Sequence, residues 1–206
     1  KGYKGVVIPE DNVQEASLIK GIDIVPVSTL REVADFISKG KIKSLNIKPF
    51  LEEKDYSIDF SELKGQALGK RGLEIAAAGG HNIILIGSPG SGKSMLAKRM
   101  ITILPSMSEE EIIESTKIYS VAGELNSKKP IINQRPFRSP HHTSSLTSII
   151  GGGKRIKPGE ISLASNGVLL LDELAEFPRS VLESLRQPLE DGLVSITRAQ
   201  YRVEFL

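Results

Sequence analysis

Short apolar runs alternate with helix-like stretches along residues 1–40. Residues 6–8 and residues 22–27 are rich in valine and isoleucine, and each run is followed by apolar residues at helical spacing. A serine–threonine pair shortly before Glu32 matches a capping box at the start of the second helix. The order predicts a β-α-β-α unit with parallel strands. Because two short strands and two helices bury little apolar surface, we interpret residues 1–40 as the closing part of a domain that begins upstream.

The hydrophobic pattern is interrupted by residues 41–60, which are rich in charge and have no sustained period. We interpret these residues as a linker and residues 61–206 as a second domain. There, residues 82–86, which are apolar after Asn82, and the fully apolar residues 168–171 predict buried strands. Apolar positions at helical spacing predict helices over residues 63–77, 95–101, 108–118 and 178–189. Residues 194–198 then alternate as a strand, and residues 203–206 are either its hairpin partner or the start of the next core strand. This alternation predicts an α/β fold with a central parallel sheet and helices on both faces.

A glycine-rich sequence, GSPGSGKS at residues 87–94, follows the first of these strands and begins the next helix. It matches the phosphate-binding pattern G-x-x-x-x-G-K-[S/T]. The glycines let backbone N–H groups turn toward anionic oxygens, and the N-terminus of the helix points at the same place. Lys93 can reach the β- and γ-phosphates of a nucleotide, and the Ser94 hydroxyl can bind Mg²⁺. This context favours an ATP site over a chance glycine turn.

The second buried strand of this domain ends in two carboxylates, Asp172 and Glu173. In doubly wound sheets, strands carry such residues to the carboxyl edge, where ligands bind. Asp172 is expected to hold Mg²⁺, while Glu173 orients the attacking water and acts with Lys93 in catalysis. Taken alone, an apolar strand that ends in Asp-Glu is more often the start of a solvated loop. In combination with the phosphate-binding loop, it predicts nucleotide hydrolysis.

Composition narrows the function class only slightly. The 206 residues are 39% hydrophobic and 25% charged, and a formal net charge of +2 gives no global field that favours nucleic acid or a membrane surface. The absence of cysteine excludes disulfides and thiolate metal sites. No apolar run approaches the roughly 20 residues that cross a bilayer, and no signal peptide is visible. We therefore expect a cytoplasmic protein with no membrane partner.

Several further runs resemble the magnesium-chelatase-like AAA+ ATPases, in the branch of the ComM and YifB proteins. Besides the phosphate-binding loop, they are FSELKGQ at residues 60–66, AAAGGHN at 76–82, RPFRSPHH at 135–142, KPGE at 157–160 and LDE at 171–173. Residues 1–40 are similar to the closing part of a Lon-protease-like domain. The resemblance implies a P-loop NTPase fold with three αβα layers, preceded by a β-α-β-α remnant of that domain.

The same resemblance implies ATP and Mg²⁺ as cofactors and a ring, usually a hexamer, as the assembly. It places Leu63, Lys64 and Gln66 near the adenine. It assigns the rest of the nucleotide site to Ser88, Pro89, Gly90, Ser91, Gly92, Lys93, Ser94 and Met95, with Ser94 and Asp172 on the metal. Residues 137–160 would be an insertion and residues 192–203 a hairpin. Because the chain ends before the sensor and lid of the family, we expect this piece alone to bind ATP weakly and to hydrolyse it negligibly.

Positive charge is concentrated in residues 128–160, which contain seven lysines and arginines and only one acidic residue, a glutamate. In a ring, such residues could contact DNA phosphates while a tyrosine stacks on a base. The candidates for nucleic-acid contact are Lys154, Arg155, Lys157, Arg198, Tyr201 and Arg202. The alternative carries equal weight: a solvated loop, or basic groups that pair with a neighbouring subunit. The adjacent pair His141-His142 lacks the spacing of zinc ligands.

The two nucleotide-site motifs predict an ATP-hydrolysing module, and the resemblance implies that it is the motor of a ring-forming DNA translocase or branch-migration helicase. An alternative is an ATP-driven remodeller of a protein partner, as the chelatase motor subunits are, and a third hypothesis is a regulator linked to a Lon-like protease fold. Stimulation of ATP hydrolysis by DNA would favour the first function, and stimulation only by a partner protein would favour the second.

Overall fold

The computed structural model describes residues 2–39, 56–126, 129–153, 156–198 and 201–205, with only the backbone given for residue 39 and from residue 195 onward. Among these residues the chain is a mixture of helices and paired strands, which fits an α/β fold. The strands form two-stranded sheets, of which two are parallel and two are antiparallel. The three-layer arrangement around one central sheet stays a prediction. No helix in the described ranges is both long and apolar enough to cross a membrane.

The first part of the chain forms the parallel unit that the sequence predicts. Its elements are β1 (Gly5–Pro9), a 3-10 turn (Glu10–Asn12), α1 (Val13–Ala16), β2 (Asp23–Val27) and α2 (Leu30–Lys39). β1 and β2 pair in parallel, with Val7 opposite Val25. Glu32 Oε2 accepts a hydrogen bond from the Ser28 N–H at 2.7 Å, and Thr29 Oγ1 accepts one from the Glu32 N–H at 3.3 Å. The predicted β-α-β-α order and the capping of α2 are confirmed.

The helices that precede and follow the glycine-rich loop in the sequence pack against each other. They are α3 (Ala67–Gly79) and α4 (Lys93–Ile103), and a 3-10 turn (Phe60–Glu62) precedes them. Leu73 of α3 and Leu96 of α4 form a buried cluster with Leu63. Because this cluster joins the helix after the loop to the segment before α3, it fixes both ends of the candidate nucleotide site.

Residues 82–86 are not the buried strand that the sequence predicts. They pair with no strand in the described ranges, and the side chains of Ile84 and Ile86 are 67% and 92% exposed. A fully apolar parallel strand becomes buried only when neighbouring strands flank it and helices cover both faces. Since no described strand pairs with this segment, Ile84 and Ile86 remain at the surface, while Leu85 packs partly buried against the cluster between α3 and α4.

Helix α5 (Glu109–Ala122) has Ser108 as its N-cap, the residue predicted to open it. The Ser108 hydroxyl accepts a hydrogen bond from the Glu111 N–H at 3.2 Å, and Glu111 Oε2 accepts one from the Ser108 N–H at 2.7 Å. This reciprocal pair is a capping box, and the acidic first turn also complements the positive end of the helix dipole. Farther along, Ile118 packs against Leu163, which ties α5 to the elements that follow.

Short elements occupy the region between α5 and the acidic strand end. They are β3 (Phe137–Arg138), α6 (Leu146–Ile150), β4 (Gly151–Gly152), β5 (Lys157–Pro158), α7 (Glu160–Leu163), β6 (Val168–Leu169) and a 3-10 turn (Leu174–Glu176). β3 and β6 pair in parallel, and β4 and β5 pair antiparallel. β6 is shorter than the predicted strand at residues 168–171, and these residues are half-buried because β3 is the one described strand that pairs with it.

The predicted helix at residues 178–189 is divided into α8 (Arg179–Ser184) and α9 (Arg186–Asp191). The break precedes Pro188, which has no N–H to donate to the carbonyl of Ser184 and which is tolerated only in the first turn of a helix. α8 buries Val181 against Ile149 and Phe177. The chain then forms the antiparallel hairpin β7 (Val194–Arg198) and β8 (Tyr201–Phe205), as the pattern predicts.

Arg135 connects three separate segments near the start of β3. Its guanidinium donates to Glu111 Oε1 and Oε2 at 3.0 and 3.1 Å, and to the carbonyl oxygens of Pro105 and Asn166 at 2.7 Å each. The side chain is only 12% exposed. Burial would raise the pKa of the Glu111 carboxyl, but hydrogen bonds from the Ser108 backbone and from Arg135 hold this pKa below its ordinary value. Arg135 is therefore an internal structural cation.

We expect the change Arg135→Ala to lower the free energy of unfolding by about 3 kcal/mol, because it leaves a largely buried carboxylate and two carbonyl groups without their donor. The measurement is thermal unfolding of the full-length protein and its variant by calorimetry. Arg186→Ala is a matched control, because the Arg186 side chain is 79% exposed in its ion pair with Glu190. That control is expected to cost about 0.5 kcal/mol or less. Equal effects of the two changes would contradict the structural role of Arg135.

Candidate functional site

The glycine-rich loop at residues 87–94 leads directly into the first turn of α4. Gly90 and Gly92 have φ angles of +76° and +83°, in the left-handed region that favours glycine. Lys93 is the first residue of α4, so the unpaired N–H groups of the helix start beside the loop. The Ser91 hydroxyl is buried and has no hydrogen-bond partner among the described residues. A concave loop with free donors is suited to a phosphate group.

The Lys93 ammonium group is held by the loop itself. Nζ donates to the carbonyl oxygens of Gly87 at 2.8 Å and of Ser88 at 2.9 Å. These bonds keep the cation at the mouth of the loop. Carbonyl oxygens are neutral acceptors, so anionic phosphate oxygens would be stronger partners for the same ammonium group.

Gln66 joins the segment before α3 to the phosphate-binding loop. Its side-chain Nε2 donates to the carbonyl oxygen of Ser91 at 2.6 Å, and its backbone has a φ of +52°. A Cβ at Gly92 would lie 2.6 Å from the same nitrogen, so a side chain there would displace the Gln66 amide, and the positive φ of Gly92 is the stronger reason for glycine. Of the other residues expected near the adenine, Leu63 is buried in the core, whereas Lys64 is exposed.

The structure brings the loop and the acidic strand end together. Ser94 Oγ donates to Asp172 Oδ2 at 2.6 Å, although 78 positions separate the two residues in the chain. Asp172 lies three residues beyond β6, and its Oδ1 also accepts the Glu173 backbone N–H at 3.1 Å. The carboxylate is therefore fixed at the first turn of α4, next to the loop that holds Lys93. Met95 lies in the same turn with a half-exposed side chain.

The oxygens of Ser94 and Asp172 fit a magnesium ion. A hydroxyl and a carboxylate are hard ligands, and Mg²⁺ is commonly bound by one or two protein oxygens together with phosphate oxygens and water. Within the described residues, no group of three His, Cys, Asp or Glu side chains is placed to hold a metal ion. The two residues could thus hold Mg²⁺ in the presence of a nucleotide, where the ion would neutralise phosphate charge.

Glu173 follows the metal-binding position and faces a shallow depression. Its backbone is left-handed, with φ 55° and ψ 49°, and its side chain is 66% exposed. The depression has a volume of about 440 Å³ and is lined by His142, Glu173, Leu174, Ala175 and Glu176. His142 Nδ1 lies 3.3 Å from Glu173 Oε2. The sequence pattern raised His142 as a possible metal ligand and does not predict this contact.

Several basic groups of the positively charged segment already have partners. Arg138 donates to both Glu160 carboxylate oxygens at 2.6 and 2.7 Å, and to Glu124 at 3.0 Å. The hydrogen bonds with Glu160 raise the pKa of the Arg138 guanidinium, against the effect of burial. Lys157 Nζ donates to the carbonyl oxygen of Ala122 at 3.2 Å, at the C-terminus of α5, where a cation is favourable. Glu160 thus makes a structural contact.

The other predicted nucleic-acid contacts have no described side chains. Lys154 and Arg155 lie outside the described residues. The backbone of Arg198, Tyr201 and Arg202 belongs to the hairpin β7–β8, with Arg198 opposite Tyr201, and their side chains are outside the description. Contact of these residues with nucleic acid stays a prediction.

Comparison with known proteins supplies the family context. Residues 59–206 match the model of the family described as "Magnesium chelatase, subunit ChlI". The chain is 45% identical over its whole length to YifB of Escherichia coli (strain K12) and 43% identical over its whole length to "Competence protein ComM" of Haemophilus influenzae. It spans 40% and 41% of these two relatives. It is also 25% identical, over 80% of the chain, to "Lon protease 2" of Bacillus subtilis, of which it covers 31%.

Proposed function

Because the chain belongs to the magnesium chelatase ChlI family, in the branch of YifB and ComM, we propose that it is the ATP-binding and ATP-hydrolysing AAA+ module of a longer cytoplasmic protein. The observation that carries the proposal is the hydrogen bond of 2.6 Å between Ser94 and Asp172. It joins a phosphate-binding loop to an acidic strand end, and nucleotide hydrolysis requires both.

Each residue of the site has a role that its geometry supports. Gly90 and Gly92 shape the loop for the phosphates, and Lys93 neutralises the charge of the β- and γ-phosphates. Ser94 and Asp172 hold Mg²⁺, which stabilises charge on the phosphate oxygens when it is bound. Glu173, which carries the exposed carboxylate next to this pair, orients the attacking water. The remaining residues of the proposed nucleotide site are Leu63, Lys64, Gln66, Ser88, Pro89, Ser91 and Met95.

We also propose the wider organisation that the family implies. Residues 61–206 belong to an αβα core whose central sheet includes β3 and β6, and the complete protein assembles into a ring. Residues 1–40 close a Lon-protease-like domain. The parallel pair β1–β2, with helices α1 and α2 following its strands, supports this assignment.

DNA is the substrate that we propose for this motor. The support is the name of the relative ComM, a competence protein, which is 43% identical across the whole chain. The hairpin β7–β8 places Arg198, Tyr201 and Arg202 close together at one end of a two-stranded ribbon. Such a ribbon could present positive charge and an aromatic ring to a nucleic-acid strand.

Remodelling of a protein partner is the second candidate function. The observation that favours it is the internal pairing of Arg135 and Arg138 with Glu111, Glu124 and Glu160. Because these two arginines are paired with carboxylates, they add little to the positive charge that is available to bind DNA.

The experiment that tests the proposal measures ATP hydrolysis by the full-length protein with no addition, with single-stranded DNA and with duplex DNA. The variant Glu173→Gln controls for contaminating ATPases. We expect Mg²⁺-dependent hydrolysis that DNA stimulates and that this variant lacks. Hydrolysis that DNA leaves unchanged would favour the protein-remodelling function, and absence of hydrolysis under all conditions would contradict an ATPase.

A further inference from the structure

Two paired strands carry His142 and Glu173 to the same edge of their sheet. Arg138 of β3 lies opposite Leu169 of β6, and His142 and Glu173 each follow their strand residue by four positions. Parallel strands end at a common edge, where side chains from successive strands meet. The equal offsets thus bring the two side chains together, with His142 Nδ1 3.3 Å from Glu173 Oε2.

The imidazole is the firmly held member of this pair. The centre of the His142 ring lies 4.0 Å from that of the His141 ring and 6.4 Å from that of Phe177, which meets it edge-on. Phe177 is 4% exposed and belongs to a buried cluster with Ile149 and Val181. The His142 side chain is 26% exposed, and this packing limits the movement of its ring.

The carboxylate of Glu173 depends on this neighbour for its orientation. Its side chain is 66% exposed, and the described residues give its carboxylate no other hydrogen-bond or ion-pair partner. An unrestrained glutamate samples several rotamers, which lowers the fraction of molecules with the carboxylate correctly aimed. Small errors in the placement of a catalytic group reduce rates strongly.

We propose that His142 is a positioning residue for Glu173, whose carboxylate it holds in the orientation that hydrolysis requires. The proposal rests on the proposed ATPase function and extends it to a residue that lies outside both the phosphate-binding loop and the acidic strand end. His142 acts through Glu173, so it affects the rate of hydrolysis and leaves the binding of nucleotide unchanged.

The test uses the full-length protein and its variants His142→Ala and His142→Gln. We expect His142→Ala to lower kcat by about 10- to 100-fold. KM and the affinity for a fluorescent ATP analogue should stay within about twofold, because the phosphate contacts are intact. His142→Gln keeps a side-chain N–H donor and should recover most of the lost rate. In the background of Glu173→Gln, His142→Ala should have no further effect, because the two residues act as a unit.

His141→Ala is the matched control. His141 is the neighbouring histidine and stacks on His142, but its Nδ1 contacts Thr143, 2.9 Å from Oγ1. Because His141 packs on the His142 ring, a small loss is expected, but kcat should stay within about threefold: the contact of His142 with Phe177 and its pairing with Glu173 are retained. A second measurement needs no nucleotide. In protein with ¹⁵N-labelled histidine, the ring-nitrogen resonances of His142 are identified by their loss in His142→Gln. Glu173→Ala should shift these resonances and leave those of His141 unchanged.

The outcomes separate this proposal from the proposed ATPase function. Unchanged kcat in His142→Ala, an equal loss in His141→Ala, or weakened nucleotide binding would overturn the positioning role, even where Glu173→Gln shows that the protein is an ATPase. His142 resonances that do not shift in Glu173→Ala would overturn the positioning role as well. A full-length protein that binds ATP but never hydrolyses it would overturn the ATPase function and the positioning role with it.

Discussion

Replacing Glu173 with Gln in the full-length protein should lower kcat for ATP hydrolysis by about 10²- to 10⁴-fold, the contribution expected of a catalytic base. The amide has the size of the carboxylate but lacks its charge, so it cannot polarise the attacking water. The affinity for ATP should change little, because Glu173 follows the metal-binding Asp172 and makes none of the proposed phosphate contacts. The measurement combines steady-state ATP hydrolysis with direct titration of a fluorescent nucleotide.

Glu176→Gln is the matched control for this prediction. Glu176 lines the same depression as Glu173 and is changed from carboxylate to amide in the same way. We expect the control to retain kcat within about twofold, as for a surface substitution. A similar loss in both variants would mean that the negative charge of the depression, and not the position of Glu173, sustains hydrolysis.

The second large effect is expected for Lys93→Ala, which removes the one ammonium group that the structure places inside the glycine-rich loop among the described residues. Hydrogen bonds to charged groups contribute about 1.5–3 kcal/mol each, so we expect ATP affinity to fall by roughly 10- to 150-fold. In the wild type, part of the binding free energy of the Lys93–phosphate contact is offset, because Nζ must first leave the carbonyl oxygens of Gly87 and Ser88. Isothermal titration with ATP and Mg²⁺ measures the difference.

Lys98→Ala provides the control for lost positive charge. Lys98 lies on the same helix, α4, and is exposed to solvent. Its removal should change ATP affinity by less than about threefold, as expected for a surface charge in water. An affinity that is equally reduced in both variants would indicate that ATP responds to the overall charge of α4, which would contradict a specific phosphate contact by Lys93.

Local sequence patterns predicted the elements whose stability comes from nearby residues. The parallel unit β1–β2, the capped start of α5 and the hairpin β7–β8 all follow from spacing and capping within a short stretch. The glycine-rich loop belongs to the same class, because two of its glycines have the positive φ angles that its pattern requires. The closeness of this loop to Asp172 was predicted from a general rule: in parallel sheets, ligand-binding residues gather at the carboxyl ends of the strands.

Local sequence patterns did not predict features that depend on residues far away in the chain. Residues 82–86 are apolar enough for a buried strand, yet burial needs neighbouring strands that the described residues do not supply. A count of charges places Arg135 and Arg138 in a positive segment, but it does not show that they pair with glutamates from other elements of the same chain. His142 lacked the spacing of a metal ligand, and its contact with Glu173 appears only when the register of β3 and β6 is known.

The most direct test of the central claim is the effect of Mg²⁺ on ATP affinity in Ser94→Ala, in Asp172→Asn and in the double variant of the full-length protein, by titration with and without the metal. If one triphosphate–metal complex is held by both residues, Mg²⁺ should tighten binding in the wild type. Each single change should remove most of that effect, and the double variant should lose little more, because residues that share one ligand are not additive. Binding that Mg²⁺ strengthens equally in all four proteins would contradict the claim.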